Sequence, residues 1–168
     1  MSQATYKTAI EFVAKWEWGG RADGHYTNIP EDRGGPTKYG ITQRTYSQRY
    51  KGLVEHATLE EAFAIYREDY WDVYKTKAIP MDLDDVPPEF AIAVFDSGVN
   101  CGPNRAYRWG TEALKEKEPT KHLLALREKH YIDIVSKNPS QNKFFKGWIN
   151  RLNDLKKLVQ IIQQDALP

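Results

Sequence analysis

EWGGRADGHYTNIPEDRGGPTKYGIT, the run from Glu17 to Thr42, is where the chain changes character. Residues 19–41 hold six of the eleven glycines and two of the nine prolines. Glycine and proline punctuate regular elements, so this stretch reads as loop or tight hairpin. The flanking sequence is helical in pattern. Upstream, Tyr6, Ile10, Val13 and Glu17 recur at spacings of four, three and four, which predicts a helix over residues 5–18. Downstream, Thr42 is placed to cap a short helix toward Tyr50. The run from Thr58 to Glu61 is a capping box that opens a helix through about Trp71. Residues 75–87 read as loop. Pro88 suits the first turn of an apolar helix to about Val99. Two further helices are expected over 103–116 and 120–137. A last one runs over about 140–164, its apolar face marked by Trp148, Leu152, Leu155 and Val159. The expected fold is mainly α, one domain over residues 1–168. It has a small Gly-rich β-hairpin or loop segment near the N-terminus, and the C-terminal helix packs on the rest.

Composition excludes several classes. The 168 residues suit one domain of ordinary size. Lys plus Arg is 24 and Asp plus Glu is 23, a net charge of +1, which argues against a nucleic-acid binder. No apolar run approaches the roughly 20 residues a membrane helix needs. The first residues offer no basic segment followed by an apolar stretch, so a secretory signal is not expected. The single cysteine, Cys101, has no intrachain partner, which fits folding in a reducing cytoplasm. The four histidines form no metal-ligand pair, and no nucleotide-type glycine loop is present, so no metal or other cofactor is expected. The expected state is a monomer.

Three constellations can carry chemistry, and each has a plain alternative. Glu17 lies in phase with the apolar stripe of the first helix, between Trp16 and Trp18, just before Gly19 and Gly20. A carboxyl held at an apolar surface is poorly solvated as the anion. That is how a glutamic acid keeps its proton near neutral pH and serves as a general acid. The alternative is a helix-end Glu pointing to water. Asp32 and Thr37, in the glycine-rich segment, can together orient a water molecule, or can simply cap a turn. Asn100, at the end of the apolar helix, can hydrogen-bond a sugar acetamide or hydroxyl. Alternatively it belongs to a helix C-cap closed by Gly102. Trp18, Tyr26 and Tyr39 offer flat apolar faces to sugar rings or pack as ordinary core.

The residues in these constellations carry a resemblance. Glu17 followed by Gly19-Gly20, then Asp32-Arg-Gly-Gly-Pro-Thr37-Lys-Tyr-Gly-Ile-Thr42, resembles glycoside hydrolase family 108, the phage-type peptidoglycan muramidases known as endolysins. Phe95-Asp-Ser-Gly-Val-Asn100-Cys-Gly102 and Gly147-Trp148-Ile-Asn150-Arg151 continue it, so it spans nearly the whole chain. The resemblance implies a lysozyme-like helical fold and hydrolysis of the β-1,4 bond between N-acetylmuramic acid and N-acetylglucosamine. It implies Glu17 as the general acid, matching the family's E-G-G-Y motif with one extra residue before the glycine pair. Asp32 and Thr37 are implied as participants in catalysis. The implied substrate is bacterial peptidoglycan. The implied setting is phage lysis: synthesis in the host cytoplasm, passage aided by a phage holin, and action on the wall from the periplasm. The competing readings are a non-catalytic wall-binding or virion protein on the same fold, and a glycosidase acting on chitin-like polymers.

Overall fold

The computed structural model describes residues 2–30 and 34–166. The helices are α1 (Ser2–Trp18), α2 (Gln43–Tyr46), α3 (Leu59–Tyr66), α4 (Pro88–Cys101), α5 (Pro103–Ala113), α6 (Pro119–Lys137) and α7 (Asn142–Asp165). Strands β1 (Thr37–Lys38) and β2 (Ile41–Thr42) form the two-stranded antiparallel sheet. The fold is mainly α with a small hairpin, of the lysozyme-like kind expected. The chain divides into two compact units, Ile10–Asp69 and Met1–Ala9 with Tyr70–Pro168.

In the Ile10–Asp69 unit, the stripe of α1 is buried as its spacing requires, with Ile10 and Val13 inaccessible. The hairpin pairs Thr37 with Thr42 and Lys38 with Ile41. Its two-residue loop, Tyr39-Gly40, has positive φ at both positions, 53° and 72°. That is the type I′ pattern, whose twist matches the flanking strands. Lys38 pins β1 by donating from Nζ to the carbonyls of Glu55 (2.8 Å) and Ala57 (3.0 Å). Thr42 caps α2 by accepting from the Thr45 amide, and α2 ends at Tyr46, short of the expected Tyr50. The capping box is present: Thr58 and Glu61 each accept from the other's backbone amide. The helix it opens stays α only to Tyr66 and widens into a π turn over Arg67–Trp71, a correction to the single helix expected from the sequence. The extra residue in a π turn re-phases the side chains, so Tyr66 and Trp71, five apart, are both buried.

The larger unit is built around α4. Every residue from Phe90 to Gly98 is buried, so this helix is covered on all sides, and it packs against α5, α6 and α7. Tyr6, Trp71 and Phe95 meet edge to face with ring centroids 5.2–5.6 Å apart. At the polar end of α4, Asp96 is fully buried between two guanidinium groups. Arg127 of α6 donates to its Oδ2 at 2.7 Å, and Arg151 of α7 donates to its Oδ1 at 2.7 Å. Burial alone would push the Asp96 carboxyl up, but Arg151 and Arg127 outweigh it and hold the group below the usual carboxylate range. The segment expected as loop from residue 75 begins inside a 3₁₀ turn over Asp72–Thr76.

Candidate active site

Glu17 is the penultimate residue of α1, one turn beyond the inaccessible Val13, and is itself half-buried. Gly19 and Gly20 then take left-handed φ values of 68° and 64°, and the Gly20 amide donates back to the Ala14 carbonyl at 3.0 Å. The chain thus leaves the helix abruptly, and the Glu17 side chain is not covered by its own continuation.

The hairpin tip supplies the wall beside it. A Cβ at Gly40 would lie 3.4 Å from Glu17 Cβ, 3.6 Å from Glu17 Oε2 and 2.6 Å from the Tyr66 hydroxyl. Only glycine lets the backbone pass this close. The Tyr66 hydroxyl donates to the buried Tyr39 carbonyl at 3.0 Å, tying α3 to the hairpin tip. The Tyr39 amide in turn donates to the Gly24 carbonyl at 2.7 Å, which ties down the loop that follows α1. Gly40 was legible in the sequence only as a turn residue. Tyr66 carried no local signal, because its partner Tyr39 is 27 positions away.

Asp32 lies outside the described residues. Thr37 is half-buried in β1, paired through its backbone with both Thr42 and Thr27. Its hydroxyl donates to the Gly35 carbonyl at 3.0 Å, leaving its lone pairs able to accept from a water. Trp18 and Tyr39 are only 4% and 6% exposed and meet edge to face at 5.6 Å, with Tyr66 against Trp18 at 6.0 Å. Both rings are packed away and present no open face to a sugar. Tyr26 is 39% exposed and precedes Thr27, the bridge partner of Thr37, so its ring is available at the rim. Arg21 and Asp23, in the same exposed loop, form a two-point ion pair at 2.7 and 3.0 Å. The Arg21 hydrogen bond and the His25 amide hold the Asp23 carboxyl low. Asn100 belongs to the other unit, where its amide oxygen accepts from Tyr131. Among the described residues no three His, Cys, Asp or Glu side chains converge as a metal site would require.

A half-buried glutamate at a helix end, walled by a glycine hairpin, is an arrangement able to deliver a proton to a bound ether oxygen. The family model described as Glycosyl hydrolase 108 matches residues 10–102, over half of the chain. The chain belongs to this family. As a member of glycosyl hydrolase family 108 it is a glycoside hydrolase. The matched stretch contains Glu17, the hairpin, Tyr66 and α4 through Gly102. The chain is also similar to the solved structure of SagA from Brucella abortus. The two share 25% identity and a TM-score of 0.63, with 98% of each chain covered. No curated protein matches.

Proposed function

We propose that this glycoside hydrolase is an N-acetylmuramidase. It cleaves the β-1,4 bond between N-acetylmuramic acid and N-acetylglucosamine in bacterial peptidoglycan, with Glu17 as general acid. The observation that carries the reading is the placement of Glu17, half-buried at the end of α1 and in contact range of the Gly40 backbone. The Glu17 carboxyl gives its proton to the glycosidic oxygen as the C–O bond breaks. Positive charge spreads over the anomeric carbon and ring oxygen. Water adds to the anomeric carbon and loses a proton to a base. Asp32 is the candidate for that base or for a charge facing the oxocarbenium ion. The Thr37 hydroxyl, whose hydrogen goes to the Gly35 carbonyl, is the candidate acceptor for the attacking water. The proposed setting is phage lysis, with a monomeric enzyme made in the host cytoplasm and reaching the wall with the aid of a holin.

The experiment is release of reducing ends from purified cell wall by Glu17→Gln. The amide preserves the shape of the side chain but has no acidic proton. A lost general acid costs roughly 10²–10⁴-fold in rate. A Glu17→Gln enzyme that digests the wall at the native rate removes Glu17 from the mechanism. Equal turnover of chitin oligomers and cell wall by the native enzyme would overturn the substrate assignment.

A further inference from the structure

The first turn of α6 has no side-chain cap. Glu118 holds the N-cap position and Pro119 follows it, but the Glu118 side chain makes no cap hydrogen bond. Its Oε2 accepts instead from Lys121 Nζ at 3.1 Å, while its carbonyl accepts from the His122 amide at 3.0 Å. Proline has no N–H, so the orphan donors inside this helix are the Thr120 and Lys121 amides. Neither meets an acceptor among the described residues. Thr120 is only 5% exposed, and its hydroxyl also has no hydrogen-bond partner among the described residues. That oxygen is not sealed in the protein, because Thr120 lines a cavity.

The cavity is about 540 Å³ in volume, formed by the first turn of α4, the first half of α6 and the second half of α7. Cavities that hold small molecules run from roughly 300 to 1,000 Å³. Leu124 and Val159 supply apolar lining. The charged lining is balanced, with three lysines and three glutamates. Lys121 pairs with Glu118, and Lys156 with Glu128 at 2.7 Å. Lys117 and the half-buried Glu89 of α4 are left with no partner among the described residues. Two free amides, a buried hydroxyl and a lysine at a helix N-terminus favour an anion. Glu89 favours a cation, and a lining of zero net charge disfavours a dianion such as phosphate.

We propose that this cavity binds a small zwitterion: a carboxylate and an ammonium on a short apolar body, as in an amino acid or a short peptide with free ends. The carboxylate accepts from the Thr120 hydroxyl and the Thr120 and Lys121 amides, with Lys117 adding charge. The ammonium faces Glu89, and the apolar body lies on Leu124 and Val159.

The test is an NMR titration of the full chain with L-leucine and, in parallel, L-leucyl-L-leucine, following the backbone amide signals of Thr120 and Lys121. At least one of the two should shift both signals saturably, and the tighter binder tells amino acid from peptide. The N-acetyl form of that ligand lacks the ammonium and its C-terminal amide lacks the carboxylate; each should bind at least tenfold more weakly. Thr120→Val and Glu89→Gln should each weaken the parent ligand at least tenfold, and Glu89→Gln should not weaken the N-acetyl form. The absence of saturable shifts with both leucine and dileucine overturns the site, as does inorganic phosphate binding as tightly as either. Equal binding of the C-terminal amide overturns the carboxylate seat on α6, and equal binding of the N-acetyl form overturns the role of Glu89. These ligand pairs act on the native chain, so they decide the proposal even where Thr120→Val fails to fold.

Discussion

Replacing Gly40 by alanine tests the geometry on which the active-site reading stands. The new methyl would lie 2.6 Å from the Tyr66 hydroxyl and 3.6 Å from Glu17 Oε2. Gly40 has a φ of 72°, and a left-handed conformation costs an L-residue roughly 1–2 kcal/mol. Displacing the Tyr66 hydroxyl removes the donor to the buried Tyr39 carbonyl, worth roughly 1–3 kcal/mol. Together these predict a loss of roughly 2–5 kcal/mol, which for a chain of this size lowers the melting midpoint by roughly 4–20 °C. Activity should fall further than stability accounts for, because a displacement of about 1 Å at a reacting group can cost about 10²-fold. The assay is calorimetric melting alongside reducing-end release well below the midpoint. Tyr66→Phe supplies the internal control. It removes the clashing oxygen, so Gly40→Ala combined with Tyr66→Phe should be less damaging than the two separate losses added together. An unchanged midpoint in Gly40→Ala, or strict additivity in the double variant, would refute the close approach of the hairpin tip and Tyr66.

Thr37→Val removes a hydroxyl at nearly constant shape; a large fall in turnover with little change in melting places that hydroxyl on the water or sugar, and full activity removes it from the mechanism. Asp96 has a folded value below its unfolded value of about 3.9, so its contribution to stability is present above about pH 4 and is lost as pH falls through the folded value. Asp96→Asn should therefore cost about 3–5 kcal/mol at neutral pH and flatten the acid limb of the stability curve in urea titrations. In α7, Leu152 is inaccessible whereas Trp148 is half-buried, so Leu152→Ala should lose roughly 2–5 kcal/mol and Trp148→Ala should lose less than a fully buried Trp would. Equal melting midpoints for Leu152→Ala and the native chain would show that this face of α7 is not core.

Local rules carried much of the architecture. The capping box at Thr58 and Glu61, the cap at Thr42 and the prolines at the starts of α4, α5 and α6 involve residues close in sequence, so their geometry is written in short motifs. The same holds for the Glu17 position. An apolar period of three to four places it on the inward face of α1, and the glycine pair ends the helix beside it. Spacing could not separate Glu17 from a solvent-facing helix end, and neither Trp18 nor Tyr39 betrayed in sequence that its ring is buried rather than an open platform. Burial is a property of what packs against a residue, and Trp18 meets Tyr39 and Tyr66 from distant positions. Asp96 shows the same limit. In the sequence it is one polar residue near the end of an apolar helix, and only the approach of Arg127 and Arg151, 31 and 55 positions away, makes it the centre of a buried ion network. Caps, periodicity and glycine turns act within a few residues, so most helices, a Gly-rich hairpin or loop, the family resemblance and the candidate acid were legible in the chain. The long-range contacts were not legible there: Gly40 and Tyr66 meet beside the glutamate, and Tyr131 donates to the Asn100 amide oxygen. Those contacts join segments whose separation in the chain carries no information about their separation in space.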